Sequence, residues 1–220
     1  MRDVGCNVNS QTIARPEPRL EVRDLRWRQL WAGARLLAQA YEDGAIWAAA
    51  GSLPRWQRRS ALTALYLAEL VIAQLMSSGI TLAAYRADRL DGILVLYGDE
   101  RTTPWWGWAL RSVACLLAGP RAVVHAVRIS NALDRMRPSR PHVWFAVLGR
   151  RVDSVGVGYV LIRAGQARAD ALGLPGYLET SAGPEQVQIN EMLGWTSVDE
   201  YVLSTGSVIK TMWRDRTAQS

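Results

Sequence analysis

Lysine is almost absent from this chain: Lys210 stands alone beside 25 arginines in 220 residues. The skew fits the codon bias of a GC-rich genome better than selection for a cationic surface. The formal charge of +6 is therefore weak evidence for a nucleic-acid partner, and no dense basic run with interleaved aromatics supports one. The richest basic stretch, Arg15 to Arg28, also holds Glu17, Glu21 and Asp24 and reads as a solvated helix entrance. Cysteine and histidine are scarce as well. Cys6 and Cys115 have neither disulfide-like nor metal-like spacing, so reduced thiols and no metal site are expected. Long apolar runs are also missing. The longest, "ALTALYLAELVIAQLM", is interrupted by Glu69 and Gln74 and is too short for a bilayer, so it reads as a buried amphipathic helix. No signal-like apolar run opens the sequence. The expectation is a cytoplasmic protein without a nucleic-acid or membrane partner.

Phenylalanine occurs once and tryptophan ten times. Three tryptophans, Trp105, Trp106 and Trp108, crowd into "PWWGW", read as a loop beside a proline and a glycine. An indole brings a large apolar area and one N–H that needs a partner when buried. The cluster is thus either ordinary core or, with Trp144, the wall of an apolar substrate pocket. Nearly half the residues are apolar, which suits a globular chain with a substantial core.

Periodicity orders the rest. Residues 1–20 read as a loose tail and 21–216 as one domain. Helices are expected over "LRWRQLWAGARLLAQAYEDG", with Leu30, Trp31, Ala34, Leu37, Ala38 and Tyr41 on one face, and from Pro54 to Gly79. "ITLAAY" and "GILVLYG" are strands around a turn at Asp88 to Asp91. "RAVVHAVRISNALDRMRP" is a helix that includes His125, and "HVWFAVLG" is a strand. A helix follows over 157–172, then the strand "GYLETS", the short helix "PEQVQINEMLG", and a hairpin turning near Thr205-Gly206. This order predicts one α/β domain with a mixed sheet.

Between strand and helix lies "DSVGVG", Asp153 to Gly158. Glycines one residue apart at a helix start leave backbone N–H groups open to an anion. Asp153 opposes this. A carboxylate ~4 Å from a phosphate oxygen costs about 4 kcal/mol at an effective dielectric near 20, against a helix-terminus gain of ~0.3–1 kcal/mol. Either Arg150 and Arg151 offset it as phosphate partners, or Asp153 or Ser154 is an ordinary N-cap.

The C-terminal third, "HVWFAVLG…GVGYVLIRAGQARADALGLPGYLETS…INEMLGW…KTMWR", resembles the GNAT acetyltransferases. It is most similar to the puromycin N-acetyltransferase branch, over about 75 residues in matching order. The resemblance implies a central sheet whose fourth and fifth strands splay apart. Acetyl-CoA would lie in that gap with its diphosphate on the turn at Ser154, Gly156 and Gly158, and Arg150 and Arg151 beside it. It further implies direct attack of an amine on the thioester, with a base and a tyrosine acid. The turn departs from the family pattern at Asp153, and Asn190 stands where the tyrosine is usual. An amide hydrogen-bonds a thiolate but donates no proton to it. Tyr159 and Tyr177 are the nearby tyrosines. Glu179 in "LETS" is a base or a loop anchor, His142 a base or a solvated strand edge, and Asp99 and Glu100 solvent-facing or contacts for a cationic substrate.

Three functions follow from these residues. One is acyl-CoA-dependent N-acetylation of an antibiotic or natural-product amine. Another is a CoA-independent cyclase or isomerase acting on a large apolar substrate. The third is a small-molecule-binding protein without turnover. Each takes a small, partly apolar molecule as its partner.

Overall fold

In the computed structural model the described residues are 19–42, 54–98, 104–117, 119–181, 183–202, 206 and 208–217. The strands are β1 (Leu20–Asp24), β2 (Gly79–Arg86), β3 (Arg89–Tyr97), β4 (Val143–Arg150), β5 (Gly176–Thr180), β6 (Thr196–Val202) and β7 (Val208–Arg214). They form one seven-stranded sheet in the order β1-β2-β3-β4-β5-β7-β6. Every neighbouring pair is antiparallel except β4 and β5. Helices α1 (Leu30–Ala40) and α2 (Arg55–Leu75) cover one face. Between β3 and β4 come α3 (Trp105–Leu116) and α4 (Pro120–Met136), and α5 (Val157–Ala171) and α6 (Pro184–Met192) pack on the opposite face. The expected single α/β domain with a mixed sheet is what the chain forms.

Prolines open several helices, at Pro54, Pro104, Pro120 and Pro184. There the missing N–H costs nothing, because first-turn donors lack intrahelical partners anyway. Two cores result. Leu37, Leu70, Ile93, Val95 and Tyr97 fill the α1–α2 side, and Leu94, Phe145, Leu161, Leu178, Trp195 and Met212 the α5–α6 side.

Three expectations are corrected. Residues Leu20–Asp24 are an edge strand rather than a helix entrance: Leu20 and Val22 point inward between charged neighbours, a period of two. Trp105 to Trp108 form the first turn of α3 rather than a loop. Trp31 lies off the buried face of α1 and is exposed, while Leu30, Ala34, Leu37 and Ala38 are buried as expected. The β2–β3 turn is also tighter than expected, confined to Ala87 and Asp88, both at positive φ. Cys115 is buried in α3. Cys6, Asp99, Glu100, Thr205 and the His125 side chain lie outside the described residues. No helix among the described residues is long and apolar enough to cross a membrane.

The end of β7 is tied to α5 by a two-pronged ion pair. Arg214 Nη1 and Nη2 donate to the two Asp170 oxygens at 2.9 Å each, and Thr217 N donates to Asp170 Oδ1 at 3.2 Å. These bonds, Arg214 foremost, hold the Asp170 carboxyl below its ordinary value of 3.8. A lowered folded-state value stabilises above the unfolded pKa and is lost as pH falls through the folded one. Asp170→Asn is therefore expected to lower the unfolding free energy at pH 7 by about 1.5–3 kcal/mol. The difference from the parent should shrink below about pH 4, as thermal unfolding across pH would show.

Candidate functional site

Strands β4 and β5 pair only at Val143 with Gly176, Trp144 with Tyr177 and Phe145 with Leu178. Beyond these positions β4 stays with β3 as far as Arg150, and β5 stays with β7 as far as Thr180. The two parallel strands fork. A bulge opposite Val95 and Leu96 adds one residue to β4, so Ala146 and Val147 both pack toward α1 and α2. An extra residue bends its strand, here where the pairing with β5 ends.

The turn after β4 leads straight into α5. Gly156 is its N-cap at φ 78°, in the left-handed region, and no side chain caps the helix. A Cβ at Gly156 meets nothing within 4 Å among the described residues, so there is open space beside this cap. Neither Asp153 nor Ser154 is the expected N-cap. Asp153 is instead held by Arg151 Nε at 3.1 Å and Arg89 Nη1 at 3.2 Å, with its side chain 54% exposed. Hydrogen bonding from Arg151 leads the causes that hold its carboxyl below the ordinary value. Arg89 also pairs with buried Asp91 at 2.7 Å, and Arg86 with Asp91 at 3.7 Å. Arg86, Arg89 and Arg151 thus pair with two carboxylates, Asp91 and Asp153, and Arg150 lies in the same turn, so the four arginines exceed the two carboxylates by two charges. Arg150 Nη1 donates to the carbonyls of Arg151, Val152 and Ser154 at 3.1–3.3 Å and shapes the loop from within. Ser154 Oγ is buried with no hydrogen-bond partner among the described residues. Gly92 lets α5 come close, since a Cβ there would lie 2.4 Å from Val157 Cγ1. Uncapped N–H groups, open space and net positive charge fit a diphosphate.

On the α1–α2 side of the fork an aromatic row crosses four strands. The register places Tyr97 beside Trp144, Trp144 beside Tyr177, and Tyr177 beside Trp213. Tyr97 stacks on Trp144 with centroids 5.7 Å apart, and His142 meets Tyr177 edge-on at 5.2 Å. The segment after α4 lays two guanidinium groups on the row: Arg137 over Trp144 at 3.8 Å and Arg140 over Trp213 at 3.5 Å. Glu179 follows Tyr177 by two residues on the same side, on the β5 arm of the fork. Burial raises its carboxyl above the ordinary 4.5, against the opposing pull of Arg137. Burial, with Glu179 next to it, also raises the Tyr177 hydroxyl, which stays protonated.

The structure therefore groups Glu179, His142 and Trp144. Asn190 is not among them. It is 3% exposed on the α5–α6 side, where its Nδ2 donates to Met212 Sδ at 3.7 Å. Trp105 is 81% exposed, Trp106 packs against the α1–α2 core, and Trp108 lies near Arg111. Of the three expected pocket tryptophans of α3, Trp106 thus packs on the core while Trp105 is exposed. His142 is buried, and its Nδ1 lies 2.8 Å from the Arg140 carbonyl. The sequence reading passed over Arg89, Arg137 and Trp213. Their relevance comes from register and from a connection between distant elements.

This architecture has known counterparts. The chain has the GNAT fold. An acetyltransferase from Corynebacterium glutamicum, described as histone acetyltransferase HPA2 and related, superposes with a TM-score of 0.66 at 18% identity, over 93% of this chain and 99% of that one. The PaiA N-acetyltransferase of Thermoplasma acidophilum, solved with coenzyme A, gives 0.54 at 13% identity over 90% and 99%. The polyamine N-acetyltransferase of Drosophila melanogaster gives 0.55 at 12% over 90% and 100%. At these identities the likeness establishes the fold, and it does not single out the puromycin branch. No family model matches the chain, and no curated protein matches it in sequence.

Proposed function

We propose that this chain is an acyl-CoA-dependent N-acetyltransferase whose acceptor is a small amine. An antibiotic or natural-product amine is the class that the sequence resemblance puts forward. The observation that carries the reading is the forked β4–β5 pair, with an uncapped glycine turn at one end and Glu179 on its wall. The turn from Ser154 to Gly158, with the arginine excess around it, would hold the diphosphate of acetyl-CoA, which supplies an acyl group activated as a thioester. Fold likeness to N-acetyltransferases, one of them solved with coenzyme A, supports the same reading.

Glu179 is the base. A carboxyl raised by burial gains affinity for a proton, and its place on the fork wall suits an entering ammonium. Tyr177 remains a neutral donor beside it. Asp153, the residue that argued for a CoA-independent enzyme, is offset by Arg89 and Arg151, which removes the main motive for that alternative. Purified protein incubated with acetyl-CoA and a panel of primary amines should release free thiol in proportion to acetylated amine. Binding of amines without thiol release would instead indicate a sequestering protein.

A further inference from the structure

Four buried polar atoms on the α1–α2 side of the fork have no hydrogen-bond partner within 3.5 Å among the described residues: Arg137 Nε, Trp144 Nε1, Tyr177 Oη and Glu179 Oε1. The Tyr177 hydroxyl and the Glu179 carboxyl still act on each other as a loose hydrogen-bonded pair, which leaves the Arg137 and Trp144 donors alone. The four atoms belong together. Arg137 lies on the Trp144 ring, Trp144 is in register with Tyr177, and Tyr177 and Glu179 share one side of β5. The charge of Arg137 acts on both Tyr177 and Glu179. A buried donor or acceptor left unsatisfied is unfavourable, and natural folds keep such groups rare. Their occurrence on neighbouring residues of one sheet face marks a place where a ligand supplies the missing partners.

The inventory defines that ligand. Three of the four atoms are donors: a guanidinium N–H, an indole N–H and a phenol O–H. Only one, on Glu179, is an acceptor. A simple amine or polyamine would join Tyr177 on Glu179 and leave the Arg137 and Trp144 donors orphaned. The Arg137 guanidinium sits over the Trp144 ring, and its one described ion pair, to Asp134 at 3.3 Å, uses Nη1. The remaining N–H edge of the guanidinium, Nε with Nη2, is the two-pronged arrangement that suits a carboxylate. We propose that the acceptor is an amine that also carries a carboxylate, an amino-acid-type substrate. Its amine faces Glu179 and its carboxylate takes the donors of Arg137 and Trp144. The aromatic row gives its apolar body a floor. The inference rests on the acetyltransferase reading for the amine's place in the fork.

The test uses matched acceptors that differ only by the carboxylate: L-phenylalanine against 2-phenylethylamine, with the intact chain. Acetyl transfer is followed by thiol release, and binding without acyl donor by intrinsic tryptophan fluorescence. L-phenylalanine should be preferred by at least about tenfold in both, the scale of one charged hydrogen bond. The preference should collapse in Arg137→Met and fall between in Arg137→Lys, which keeps the charge and loses the two-pronged edge. Thermal unfolding establishes that each variant folds; if Arg137→Met does not, the Arg137→Lys ratio decides, and an unchanged ratio overturns the proposal. Equal or better use of 2-phenylethylamine, or a preference that survives Arg137→Met, also overturns it. Transfer without carboxylate preference sinks this inference alone. A fluorescence preference without any transfer sinks the acetyltransferase reading and leaves the carboxylate site standing.

Discussion

Glu179→Gln should lower kcat/KM for amine acetylation by about 10²–10⁴-fold, the usual worth of a general base. The amide is close in shape, so binding of acetyl-CoA should persist and the loss should fall on the chemical step. The pH profile gives a sharper readout. In the parent, activity rises with pH as Glu179 ionises, above the ordinary 4.5 because burial raises it. That limb should vanish in the variant. Stability moves the other way. A carboxyl with a raised folded-state pKa stabilises most below its unfolded value, and the contribution is lost as pH rises through the folded value. At neutral pH, above the unfolded-state value, burying Glu179 is thus a burden, and Glu179→Gln is expected to raise Tm there, with the gain shrinking below about pH 4.5. A rate within severalfold of the parent, with the acid limb intact, would place the base elsewhere.

Arg111→Met carries the largest expected loss of stability. Glu69 of α2 is 8% exposed. It accepts from Tyr97 Oη at 2.6 Å and from Arg111 Nε at 2.8 Å, with Arg111 Nη2 at 2.7 Å. This network fastens α3 to α2 and to the end of β3. It also positions Tyr97, the first member of the aromatic row. The Tyr97 hydroxyl is raised by burial and by Glu69, and it stays protonated as a donor. Removing the cation leaves a buried carboxylate supported by one phenol, at a cost of about 3–5 kcal/mol. For a chain of this size that corresponds to a Tm lower by roughly 6–20 °C. The double variant Glu69→Leu with Arg111→Met should recover most of the loss, since two well-packed apolar residues often match a buried ion pair. Similar damage in single and double variants would show that the helix contact, rather than the charge, holds α3.

The parts of the fold that the sequence made readable are those where period and punctuation agree. Strand β4, the glycine turn, α5 and β5 have an apolar run, a Gly-x-Gly start and a 3.6-residue rhythm in direct succession. Strand β1 was obscured because its inward residues, Leu20 and Val22, alternate with charges that suggest a solvated helix. The start of α3 was obscured by Pro104, Gly107 and three indoles, which imitate a loop. The site divides the same way. Glu179 and the glycines are legible from local pattern. Asp153 was legible in part: its leading partner Arg151 is two residues away, whereas Arg89 is 64 positions away in sequence and reaches it across the β2–β3 hairpin end. Arg137 is invisible for the same reason, because only the path of the chain after α4 lays it on Trp144. Asn190 shows the converse. Its sequence position suggests chemistry, but its side chain is turned into the core beside Met212.

The claim on which the functional reading depends is that the Asp153–Gly158 turn accepts the diphosphate of coenzyme A although a carboxylate stands at its mouth. Titration of the isotope-labelled chain with acetyl-CoA, followed at the backbone amides of Val157, Gly158 and Tyr159, tests it directly. Saturable shifts at these three N–H groups are predicted, and they should weaken as salt screens the surrounding arginines. Amides that stay unmoved up to millimolar ligand would contradict the account.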